Sequence, residues 1–190
     1  MTTFDDLRAL YIGWSNRHRE YFEDSYQFIC RFAVQFGKYI GAPETYKEMS
    51  PGGDPKKAPT KRYVGLLRAI KDDGGKVHLN EAEFPMDVVT PDDGGYWISG
   101  IKVTIDRAEN TYPKSEFTFP VRFTLEPGQS RLQIGDRPEG KFEIEANNPD
   151  SFKTAYEYMV SLLRGVFESP PWSSSKKTEI GFAPPEKEAP

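Results

Sequence analysis

The chain has 190 residues, a formal net charge of -4 and one cysteine, with 37% hydrophobic and 14% aromatic residues. That length suits one well-buried domain, a lone cysteine excludes an intramolecular disulfide, and an acidic average argues against a surface built to coat nucleic-acid phosphates. The opening MTTFDDLRAL has no basic stretch leading into an apolar one, and no apolar run approaches the ~20 residues that span a bilayer, so the expected setting is cytoplasmic, without a membrane partner.

Residues 3–40 read as helix. Thr3 can cap it, with Asp5 and Asp6 placing negative charge at the positive end of the helix dipole. Phe4, Leu7, Tyr11, Trp14, His18, Tyr21, Phe28 and Phe32 then follow at three-and-four spacing, which keeps them on one stripe. An unbroken helix of this span would measure about 55 Å, against a radius of gyration of roughly 16 Å for a compact chain of this size. Such a helix overhangs its own domain. Either it breaks, with the short polar run Gly13–Asn16 as the expected place, or the overhang packs on another chain.

Residues 41–61 hold prolines and glycines throughout with no hydrophobic period, and are expected to be an irregular loop. The lysines that follow its glycine pair do not make a phosphate loop, because the GxxxxGK[ST] spacing is missing. Alternating segments come next: RYVGLLRAI (62–70), KVHL (76–79), EFPMDVV (83–89) with Pro85 marking an edge or bulge, YWISGIKVTI (96–105) and EFTFPVRFTL (116–125). The last is the cleanest, with Phe117, Phe119, Val121, Phe123 and Leu125 pointing one way. SRLQIGD and KFEIEA, joined by a turn at RPEG, complete an antiparallel meander of about five or six strands.

Asn148 and Pro149 open a second amphipathic helix carrying Phe152, Tyr156, Met159, Val160, Leu163, Val166 and Phe167, which is expected to cover one sheet face. The fold class is therefore α+β: a long N-terminal helix, a meander and a C-terminal helix in a single domain over residues 1–168. Residues 169–190, rich in proline, serine and charge, are expected to form a disordered tail. In element order, residues 62–168 resemble the helix-grip layout, which implies an apolar cavity between the sheet and its final helix. The order also resembles small oligomeric chaperone and adaptor folds, in which terminal helices flank an antiparallel sheet.

DDGG occurs twice, at 72–75 and 92–95, each time between two strand candidates. Aspartate followed by glycine is a strong hairpin signal, and neither copy has the spacing of a calcium loop, so both read as turns. Chemistry is otherwise scarce. His18 and His78 lack HxxxH or CxxC company, no GxSxG precedes a nucleophile, Cys30 sits in the apolar run FICRFAV as a packing residue, and Glu143 and Glu145 alternate outward. No catalytic residue, metal or cofactor is implied. What remains is aromatic: Tyr11, Trp14, His18 and Tyr21 are the candidate partner contacts, because tyrosine and tryptophan are enriched at interaction hot spots. The leading expectation is a non-enzymatic interaction module, subunit or adaptor, that docks on a protein partner or on itself through this helix. The alternatives are a small apolar ligand held in a helix-grip cavity, and an enzyme whose carboxylates are brought together only by folding.

Overall fold

The computed structural model describes residues 3–48, 57–72, 76–92, 94–108, 111, 114–126 and 129–169. Thr3 closes a capping box with Asp6: its hydroxyl accepts the Asp6 N–H at 3.3 Å, and the Asp6 carboxylate accepts the Thr3 N–H at 2.9 Å. From that cap α1 (Phe4–Tyr39) runs 36 residues without interruption, about 54 Å. It stops where Gly41 takes a φ of +67°, a conformation that glycine adopts without steric cost, and the Ala42 N–H reaches back to the Gly37 carbonyl at 3.0 Å.

The break expected at Gly13–Asn16 does not occur. One interior glycine costs a helix only about 1 kcal/mol relative to alanine, and α1 contains no proline. The cap fixes one end and a packed half fixes the other, so the weak stretch between them stays helical.

The strands are β1 (Thr45–Lys47), β2 (Thr60–Arg62), β3 (Val64–Lys71), β4 (Val77–Asn80), β5 (Thr90–Pro91), β6 (Trp97–Ile105), β7 (Ser115–Glu126), β8 (Gln129–Ile134) and β9 (Lys141–Ile144). β1 and β2 pair as a small ribbon, so the loop expected at 41–61 is irregular only in part; residues 49–56 lie outside the described set. Tyr46 and Tyr63 hold this ribbon to the main sheet. Lys114 lies over both rings, 4.6 and 5.1 Å from their centroids, and binds Asp106 at 2.7 Å.

The main sheet is antiparallel with order β4-β3-β6-β7-β8-β9. β3 leaves β6 after Leu67, and β5 takes up the same edge of β6 further along. The segment expected as a strand around Pro85 is instead a 3-10 turn, Pro85–Val88, because proline supplies no ladder donor and suits the first position of a helical turn.

Phe117, Phe119, Val121 and Phe123 of β7 meet both helices, not the C-terminal one alone. α2 (Lys153–Glu168) follows a 3-10 turn, Pro149–Phe152, capped by Asn148, whose side chain accepts the Asp150 N–H. Phe28 of α1 touches the rings of Phe32, Phe123 and Phe152 at 6.1, 4.9 and 5.8 Å. Tyr156 donates its hydroxyl to the Phe32 carbonyl at 3.0 Å, tying α2 to α1. The opposite face is not simply wet: Leu67 and Leu79 close over Gly100, where a Cβ would lie 2.8 Å from Leu79 and 3.0 Å from Leu67. β6 is thus buried on both faces. On that outer face the hydrogen bond from Lys102 holds the Glu81 carboxyl below its ordinary range.

The second DDGG turns the chain between β5 and β6: the Asp92 N–H bonds the Tyr96 carbonyl at 2.8 Å, and Gly95 sits at φ +76°. The first lies mostly outside the described residues, though Asp72 closes its hairpin onto Lys76. Asp92 also does something the turn reading missed. Its carboxylate, 4% exposed, binds Lys71 at 3.0 Å and Arg122, whose guanidinium stacks on Tyr96. Asp92→Asn removes a buried charge while both cations can still reach water. The expected loss is about 1–2 kcal/mol, read as a lower urea midpoint at unchanged m-value.

Candidate docking surface

α1 is divided by what it touches. From Tyr21 onward it lies on the sheet, with Ser25, Phe28, Ile29, Phe32, Ala33 and Phe36 buried. Residues 4–20 project beyond the sheet as about 25 Å of helix, and all of them are exposed except the half-buried Gly13 and Ser15. Phe4 is 71% exposed, Leu7 54%, Tyr11 65% and Trp14 55%. At 100° per residue, Phe4, Leu7, Leu10, Tyr11, Trp14, His18 and Tyr21 share a sector of about 120°. That is the sector in which Phe28, Phe32 and Phe36 pack on the sheet. One apolar stripe therefore runs the whole helix, covered in its second half and bare in its first.

The four residues singled out by spacing are brought together as a ladder of rings. Tyr11 stacks on Trp14 at 6.1 Å and Trp14 on His18 at 5.3 Å. His18 leans on Trp97 at 6.3 Å, where Tyr21 also arrives at 5.7 Å. Trp97 is buried at the end of β6, so the ladder starts in the core and climbs out along the free helix. Tyr21 belongs to the root: it is partly buried, and its hydroxyl accepts the Leu125 N–H at 3.2 Å. Tyr11 and Trp14 stand clear of the sheet. Comparison with protein-family models, with curated proteins and with solved structures returns no match.

Beside the root is an open groove of about 460 Å³ between α1 and the β7–β9 edge, lined among others by Tyr21, Asp24, Arg31, Leu125, Glu126 and Glu145. Spacing gave no sign of it, because its residues meet only when β9 is laid beside the helix. Asp24, Glu126 and Glu145 are exposed at its rim. No cluster of three histidine, cysteine or acidic side chains able to hold a metal ion occurs among the described residues. Cys30 is half-buried on α1, and burial raises its thiol pKa, which disfavours the nucleophilic thiolate. No described helix is long and apolar enough to cross a membrane.

Proposed function

We propose that the chain is a non-enzymatic protein-interaction module that docks through the projecting half of α1. The observation that carries this is the uncovered stripe: a capped, unbroken helix extends past its sheet with six large apolar side chains more than half exposed, five of them on the stripe. Monomeric proteins rarely leave contiguous apolar surface of this kind without using it. Tyrosine and tryptophan in that position supply large contact area on few rotatable bonds, as binding hot spots do. A small apolar ligand is less well served. Between the sheet and α2, Phe119, Phe123, Ile134, Met159 and Leu163 are buried in one packed cluster.

The Leu7→Asp/Trp14→Asp variant separates docking from folding. Both side chains are more than half exposed, so the melting temperature of the isolated protein is expected to stay within about 2 °C. Association, followed by mass in solution and by crosslinking in the cells the protein comes from, is expected to be lost. A variant that keeps every complex formed by the wild type removes the proposal.

A further inference from the structure

We infer that the groove beside the root of α1 binds a short peptide of about three residues with free ends, its ammonium towards Asp24 and Glu126 and its carboxylate towards Arg31. The inference stands apart from the docking stripe, with which the groove shares only Tyr21.

The sheet supplies the floor. Leu125, Ser130 and Ile144 lie in register across β7, β8 and β9, a row of about 10 Å at the usual strand spacing. Glu126 stands one residue beyond Leu125, and Glu145 one beyond Ile144. α1 supplies the facing wall. Tyr21 accepts the Leu125 N–H, which places Asp24 near the β7 end. Phe28 and Phe32 touch Phe152 in the turn that follows β9, which places Arg31 at the other end. Asp24 and Arg31 share a face of α1, about 10 Å apart along its axis, and three extended residues span the same length, about 10 Å.

The four charged side chains that line the groove are Asp24, Glu126, Glu145 and Arg31. The β7 end thus holds two carboxylates and no cation. The β9 end holds the guanidinium together with Glu145, whose carboxylate already accepts the Asn148 amide at 3.0 Å. Groups inside the groove are left without partners. Arg31 Nε is buried with no acceptor, and Ser130 is 6% exposed with its hydroxyl unpartnered among the described residues. Buried polar groups are seldom left so, because the loss on removing them from water is not recovered. A simple cation would leave Arg31 unmet, and a simple anion would face three carboxylates. A molecule with both charges at opposite ends meets each with its opposite. Gln27 and Asn147 offer amides along the same walls for the peptide bonds between.

Trialanine and the full-length protein provide the test, followed by amide chemical shifts. Saturable shifts are expected at Tyr21, Arg31 and Ser130, with a dissociation constant in the millimolar range or below, as befits a ligand of this size. N-acetyl-trialanine and trialanine amide, each lacking one end charge, are expected to bind at least tenfold more weakly. These comparisons use the wild-type chain and do not depend on a variant that folds. Arg31→Met is expected to weaken trialanine at least tenfold and to leave the amide unchanged. Absence of saturation at about 20 mM, well above the millimolar range expected for so small a ligand, overturns the inference. So do shifts confined to other parts of the chain, or an amide that binds as tightly as trialanine, which would mean that the carboxylates act alone on a cation. Loss of docking in Leu7→Asp/Trp14→Asp bears on the stripe and leaves the groove as it was.

Discussion

Phe28→Ala is expected to lower folding free energy by about 3–5 kcal/mol, while Phe4→Ala, the same truncation on the same helix, changes it by no more than about 0.5 kcal/mol. Phe28 has no exposed surface and touches three other phenylalanine rings, one from each partner element: α1 itself, β7 and the turn into α2. Truncation leaves a cavity that two helices and a sheet border, and the rigid sheet limits its collapse. Phe4 is 71% exposed, with the Arg8 guanidinium 4.9 Å from its ring centroid. Urea denaturation of the two variants measures the difference. Comparable losses for both would mean that the free half of α1 is held against the protomer, contrary to its exposure.

Gly140→Ala is expected to cost about 2–4 kcal/mol. Gly140 ends the 3-10 turn Pro138–Gly140 that joins β8 to β9. A Cβ there would lie 2.2 Å from the Ile134 carbonyl oxygen and 3.2 Å from the Tyr158 ring. The obstacle is backbone and cannot rotate away, so relief needs a shift of a turn whose flanking register, Leu132 opposite Phe142 and Gln133 opposite Lys141, is fixed by the ladder. Gly165→Ala is the control. Nothing lies within 4 Å of its added methyl, and an exposed helical site favours alanine by about 1 kcal/mol. Thermal melts of the two variants should move in opposite directions.

Much of this fold could be read from residue order. The β7 alternation from Phe117 to Leu125, the capped start of α1 and the amphipathic spacing of α2 each encode a local period, and local periods survive whatever the rest of the chain does. Misreadings arose where a weak local signal met a strong neighbour. Gly13–Asn16 has the composition of a break, yet the cap at Thr3 and the buried half of α1 outweigh it. Pro85 interrupts an apolar run that otherwise alternates like a strand, and its missing donor turns the segment into a 3-10 turn. The ribbon of β1 and β2 was illegible because three residues are too few to show a period. What stabilises it is Tyr46 and Tyr63 meeting Lys114, over fifty residues away.

The candidate docking surface was legible in one respect and hidden in another. Tyr11, Trp14, His18 and Tyr21 announce themselves by spacing, but spacing cannot say where the sheet stops. Only the position of Trp97, at the last turn of covered helix, divides the ladder into a root that is already engaged and a tip that is not. The Asp92 cluster with Lys71 and Arg122 gave no warning either, since its members come from three strands or turns and share no sequence neighbourhood.

α1 is anchored by its sheet-bound half, and that anchoring bears on the docking proposed for its tip. A free peptide as long as residues 4–20 would be a marginal helix in water, because starting the first turn is unfavourable. Here the first turns are already wound when the tip emerges, and the capping box keeps its far end from fraying. The proposed docking would therefore begin from a finished rod and need no coupled folding, so little ordering entropy would oppose it. Titration calorimetry should accordingly register a heat-capacity change matching ring surface alone, without the larger signature of a segment that coils up on arrival.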